Sequence, residues 1–365
     1  MSIRSGHLAP LLLAALLPAC GEQGPVFLDD PAPQRLSAWG LFELDSDHLT
    51  PHRQTAVFAP ANSLFTDYAH KLRTAWIPDG LQISLDGANL DYPTGAILSK
   101  TFYYPAEASG NFLLTTDTGE SQRITLKDHT LVETRLLVRR EAGWVPLVYV
   151  WNEEQTEAFL RVAGTSRPIR LKSDTGTRDF TYFVPNENQC AGCHVTDHPD
   201  GGLQPLGALS HQLATPTLFN TGATPLQQWQ ARGWLSPAPA VTPVPRWQDE
   251  GEALDLRARA YLDMNCGHCH NPNGAADTSA LLLDGFNHRG VDMGLCKGPV
   301  AAGGGSGNRR FGITPGAPDD SILLYRMEST APDEMMPELG RSLMHAEGVA
   351  LIRAWIAAMP GGCGP

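Results

Sequence analysis

Two pentapeptides constrain this chain more than anything else in it: Cys190-Ala191-Gly192-Cys193-His194 and Cys266-Gly267-His268-Cys269-His270. Two thiols three positions apart, followed at once by an imidazole, are the attachment signal for c-type haem in an exported protein. The thiols add to the two vinyl groups of one porphyrin, and the next residue is held beneath the iron as its proximal ligand. The expectation is therefore two covalently bound haem c groups, on Cys190 and Cys193 and on Cys266 and Cys269, with His194 and His270 as iron ligands. Zinc is the first rival for these residues, but a ribbon-type site wants its two C-x-x-C pairs about 15–20 residues apart, and these are much further apart. A thioredoxin-like pair occurs once, needs no following histidine and belongs to a βαβ setting.

The N-terminus reads as an export signal. Arg4 supplies the positive region, Leu8 to Leu17 is apolar but too short to span a bilayer, and Leu17-Pro18-Ala19-Cys20 looks like a lipobox. Residues 1–19 are expected to be a signal peptide, Cys20 a lipidation site and 20–33 a tether rich in Pro and Gly. Gly21 after the cysteine favours the outer membrane, on its periplasmic side or at the cell surface of a Gram-negative bacterium. Attachment to the membrane is through that lipid alone, since no other apolar stretch is long enough to cross it. With lipid and thioether positions assigned, Cys296 and Cys363 remain, and in an oxidising compartment a leftover pair is most simply a disulfide.

The formal net charge is −12. That disfavours nucleic acid and anionic lipid as partners and favours a basic redox protein partner, if any. The chain carries 36 Gly and 29 Pro, which favours short strands and loops over long helices.

From about 80 to 184 apolar residues recur with period two, as in half-buried strands. Leu131 to Arg139 and Trp144 to Trp151 flank a Glu141-Ala142-Gly143 turn and are expected to form a hairpin, with Pro146 placing the second strand at an edge or bulge. Leu64 to Trp76 has helical character by the same inspection. Pro237 to Pro245 reads as an extended linker. Beyond it Leu254, Ala258, Tyr261 and Leu262 share one helix face leading into Cys266, and Val349, Ile352, Trp355, Ile356 and Met359 repeat the period near the end. A strand-like insertion is expected at Leu281 to Phe286. The fold class expected is α+β: an antiparallel β-rich domain over 34–185, a first haem segment and Pro-rich linker over 186–247, and an α-helical class I cytochrome c domain over 248–365.

The sixth iron ligand sets potential and reactivity. For the second haem Met335-Met336-Pro337 lies before the final helix, and Met336 is preferred over Met335. For the first haem the residues leave His70, His198, His211, Met264 or an open position.

Beyond these motifs the chain resembles a little-characterised proteobacterial family of dihaem c-type cytochromes whose genes neighbour those of parallel β-helix repeat proteins. The resemblance rests on Leu36-Ser37-Ala38-Trp39-Gly40-Leu41-Phe42, Leu64 to Lys71, Lys100-Thr101-Phe102, Glu133-Thr134-Arg135-Leu136, Tyr149-Val150-Trp151-Asn152, Asn188-Gln189-Cys190, Pro315 to Leu323 and Met335 to Arg341. It implies an exported dihaem protein but no particular substrate. The function expected is electron transfer between periplasmic or cell-surface redox partners. The alternatives are a peroxidase-like dihaem enzyme with an open first haem, and a β-domain binding module with an attached cytochrome.

Overall fold

The computed structural model describes residues 24–364 apart from 87–88, 117–120, 218, 220–221, 238–239 and 301. The expected signal peptide and the expected lipidation site, Cys20, lie outside the described residues. At the centre is a six-stranded sheet of β1 (Ala56–Phe58), β2 (His70–Trp76), β3 (Ile97–Pro105), β4 (His129–Arg140), β5 (Gly143–Trp151) and β6 (Ala158–Leu160). Each strand pairs antiparallel with the next in sequence, a meander. A further hairpin, β7 (Thr165–Ser173) and β8 (Gly176–Val184), packs nearby. Both hairpins turn through two residues followed by a glycine, Gly143 at φ 138° and Gly176 at φ 137°, backbone that side chains rarely adopt.

Pro146 lies where β5 has β4 on one side and nothing on the other, because β6 reaches only Tyr149 to Trp151. A missing N–H costs the ladder little there. The stretch Leu64 to Trp76 is not helical: residues 70–76 form β2, buried along its whole length, so no alternation betrays it.

One face of the sheet is closed by an apolar cluster including Trp39, Leu72, Tyr103, Leu136 and Tyr149. The other face is covered in parts. Near one end Ala75 and Leu98 meet Leu213, Leu226 and Trp229, carried by helices α2 (Ser210–Leu213) and α3 (Pro225–Ala231). Near the other, Phe102 and Tyr104 meet Ile169, Leu171 and Tyr182 of the β7–β8 hairpin. Between these patches helix α1 (Glu187–His194) lies close to the sheet.

The expected α-helical class I cytochrome c domain over 248–365 is not found, nor is the α+β balance. The structure is mostly β-sheet, with 22% of the described residues helical. The C-terminal part has α4 (Leu254–Leu262), α5 (Ile322–Glu328) and α6 (Ala346–Ala358), joined by 3₁₀ turns and irregular chain. Part of the cause lies in glycines between the helices: Gly294 and Gly307, at φ 90° and 53°, cap and end the short 3₁₀ turns Gly290–Met293 and Gly303–Ser306. Leu281 to Phe286 is likewise no strand; Leu283 turns inward to a cluster with Tyr261, Ile313, Ile352 and Trp355. No helix among the described residues is long and apolar enough to cross a membrane.

Candidate functional site: two C-x-x-C-H segments at one cavity

Helix α1 starts on a reciprocal cap. Asn186 accepts from the Gln189 amide at 2.9 Å and the Gln189 side chain accepts from the Asn186 amide at 3.0 Å. Positions i, i+3 and i+4 of a helix share one face, so Cys190, Cys193 and His194 project together. The second motif is built differently. α4 runs into a π-helical turn, Asp263–Gly267, which carries Cys266; the Cys269 and His270 amides both donate to the Cys266 carbonyl, at 3.1 and 2.9 Å. Such wide turns recur at functional sites.

Both motif histidines have one ring nitrogen occupied. His194 Nδ1 lies 2.6 Å from the Gln204 carbonyl oxygen, and His270 Nδ1 lies 3.4 Å from Ser279 Oγ. Each Nε2 is thereby the nitrogen left to ligate, the usual support of a metal-binding imidazole. Burial, with Lys100 nearby, pushes His194 down to about 4; burial, with His268 and Arg326 nearby, pushes His270 down to about 4. Both are neutral at physiological pH, the ligating form.

A cavity of about 370 Å³ is lined by Cys266, Cys269, His270 and Met336, with apolar walls from Leu283, Met293, Ile313, Ile322 and Met327. Of the first motif, Gly192 and Cys193 reach it, whereas Cys190 and His194 do not. Met336 lines it and Met335 does not. The Met336 loop is fixed by buried Arg341, which donates to the carbonyls of Arg326, Ser329 and Met336 at 3.1, 2.8 and 2.9 Å. The donor set and the apolar walls fit a covalently held haem at Cys266 and Cys269.

The residues expected as sixth ligands of a first haem are scattered. His70 pairs across strands with Tyr103, on the sheet face turned away from the charged groups near Cys190. His198 is exposed, His211 lies 3.7 Å from Asp263 Oδ2, and Met264 is buried in the π turn. None of them lines the cavity.

Four contributors were not singled out from sequence. Arg341 and Met327 carry no local motif. His268, the variable position of the second motif, lies with Cys193 and Cys269 in a cluster whose ligand atoms are all within 4.8 Å of one another. In that cluster the interaction between the two thiols pulls Cys193 down and pushes Cys269 up; outside it, burial pushes Cys266 up to about 12. His345 packs behind the cavity, stacked on Phe65 at 4.2 Å and with its Nδ1 3.0 Å from the Tyr261 hydroxyl. Cys296 and Cys363 are joined in a disulfide with a Cα–Cα distance of 5.2 Å, well within the normal range. Comparison with protein-family models, curated proteins and solved structures finds no match.

Proposed function

We propose that this chain is an exported dihaem c-type cytochrome, lipid-anchored at Cys20, that carries electrons between periplasmic or cell-surface redox partners. The observation that supports it best is the convergence of Cys266, Cys269, His270 and Met336 on one apolar-walled cavity. Haem bound there would supply a one-electron iron couple. Cys266 and Cys269 would hold it, each adding its S–H across one of the two vinyl groups, so that one C–S bond forms per thiol, the hydrogen goes to the other vinyl carbon and no electrons are exchanged; Cys190 and Cys193 would hold a second haem in the same way. His270 offers Nε2 from one side, and the Met336 thioether offers a weak, soft donor that raises the potential. Leu283, Ile313 and Ile322 would give the haem an apolar wall, and the lower local dielectric would favour the less charged, reduced form. The net charge of −12 suits a basic partner.

Pyridine haemochrome analysis and intact mass of the chain matured by a cytochrome c assembly system should give two haems per chain. Fewer than two overturns the proposal. A second reading has its own observation: the Cys193, His268 and Cys269 cluster offers three soft donors of the kind zinc takes. Stoichiometric zinc without haem, by elemental analysis of the same preparation, is the result that would favour it.

A further inference from the structure

The middle of the sheet face nearest α1 carries charge where its two ends carry apolar packing. In one cross-strand row Arg73 of β2, Lys100 of β3 and Arg135 of β4 stand directly opposite one another. In the next row Lys71 and Glu133 flank Phe102. Lys71, Arg73 and Glu133 are buried. Like charges side by side across strands destabilise a sheet. Glu133 answers only part of this: it takes a two-pronged ion pair from Arg135, at 2.6 and 2.9 Å, and a hydrogen bond from the Tyr182 hydroxyl at 2.7 Å. Arg73 donates to Ser63 Oγ at 3.2 Å, and Lys71 to the Ala69 carbonyl at 3.0 Å. Lys100 makes no ion pair or hydrogen bond through its ammonium among the described residues; its contact is the Phe102 ring, 5.2 Å from the centroid.

Among the described residues, four cations thus stand on this face, with Glu133 paired to Arg135 and the Asp67 carboxylate near Lys71, and the ammonium of half-buried Lys100 has no acceptor there. Sheets do not collect such a surplus for stability, because each buried charge needs a counter-charge or strong hydrogen bonds. The charges also face something specific. Lys100 and Arg135 lie near enough to act electrostatically on Cys190, and Lys100 on His194. Neither of those two residues reaches the cavity of the second motif.

We infer that Arg73, Lys100 and Arg135, with Lys71 beside them, form a binding site for carboxylate held against the first C-x-x-C-H motif, and that its occupant is the propionate edge of the haem attached at Cys190 and Cys193. The assignment of the occupant rests on the dihaem proposal; the anion site itself does not. A propionate supplies the missing counter-charge and the acceptors for Lys100. The row then orients the first haem from the sheet side and replaces the shared cavity wall that the second haem has. Its positive charge also stabilises the reduced, less positive iron.

The test uses the mature chain and its Lys100→Met and Lys100→Arg variants. Haem is counted first, and the two midpoints are then resolved by spectroelectrochemistry. The expected result is two haems in all three proteins, with Lys100→Met lowering one midpoint by about tenfold in the reduction equilibrium, ~59 mV for one electron. The other midpoint stays fixed, Lys100→Arg restores the first, and acetate and phosphate leave the wild-type spectrum unchanged. A saturable response to acetate or phosphate in the wild type that Lys100→Met abolishes supports the site but overturns the propionate as its occupant. Unmoved midpoints together with no anion response overturn the site. If the haem count fails, the propionate assignment falls with the dihaem proposal, and calorimetric titration of the same chain with acetate and phosphate still decides the site: saturable binding lost in Lys100→Met upholds it, and no binding rejects it.

Discussion

The thiol of Cys269 lies 3.5 Å from the carbonyl oxygen of Gly192, so the two C-x-x-C-H segments touch although one follows the β-rich half and the other ends a helix late in the chain. The Cys193, His268 and Cys269 cluster extends the same contact. Two redox sites attached to touching segments feel each other's charge, because little water screens them. Cys190→Ser with Cys193→Ser should halve the haem content while leaving a haem at Cys266 and Cys269. The midpoint of that remaining haem should differ from its value in the intact protein. Spectroelectrochemistry of the double variant checks both; an unchanged midpoint would show that the sites act independently.

Met293, Met327 and Met336 all line the cavity, so geometry alone offers three thioethers, of which Met293 is packed in the apolar cluster as Met327 is. They differ in their backbone. Met327 lies in α5 within the apolar cluster, whereas Met336 sits on a loop whose carbonyl is held by Arg341. Met336→Ala should abolish the weak red charge-transfer band of a thioether–iron bond and lower one midpoint. Met327→Leu should keep the band and cost under about 1.5 kcal/mol, as a volume-conserving swap does. Loss of the band in Met327→Leu and its survival in Met336→Ala would exchange the two roles.

The disulfide ties the irregular loop after Leu295 to the tail beyond α6, with a sequence separation of 67. Neither end has regular structure of its own, so the cross-link restrains chain that packing holds weakly. The chain-entropy relation gives about 4 kcal/mol for a loop of this length. Cys296→Ser with Cys363→Ser should lower unfolding stability by an amount of that order in denaturant titration, with haem content unchanged.

What could be read from sequence follows from how local each signal is. The paired cysteines and histidines are contiguous, and the β4–β5 hairpin announces itself by alternation and by Gly143. Strand β2 hides because it is buried on both faces, and its Leu72, Arg73 and Thr74 give no period. The charged row is invisible for a different reason: Arg73, Lys100 and Arg135 become neighbours only through strand register. The C-terminal segment misled because α4 and α6 do show helical periodicity, whereas the glycine-rich chain between them, longer than both helices together, follows no repeat. The hydrogen bonds Arg341 makes among the described residues all go to backbone carbonyls, which no side-chain pattern records.

Asp67 gives a prediction in pH. Its carboxylate is buried near the end of β2, where Oδ1 accepts from the Ser342 and Leu343 amides, both at 2.7 Å, joining the sheet to the segment before α6. Burial outweighs these hydrogen bonds and the nearby Arg341 and Lys71, and raises its pKa from 3.8 to about 6. Between those two values the folded chain keeps a proton that the unfolded chain releases. Stability from this group is therefore greatest below pH 3.8, falls as pH rises toward 6 and is level above that. A shift of this size corresponds to roughly 3 kcal/mol. Asparagine keeps the Oδ1 acceptor for both amides and tolerates the left-handed backbone that Asp67 adopts at φ 47°. Asp67→Asn should therefore remove the downward slope between pH 4 and 6 and be at least as stable as the wild type at pH 7. Urea unfolding across that range measures both. A variant weaker than wild type at pH 7 would show instead that the ionised carboxylate is held favourably by Arg341 and Lys71.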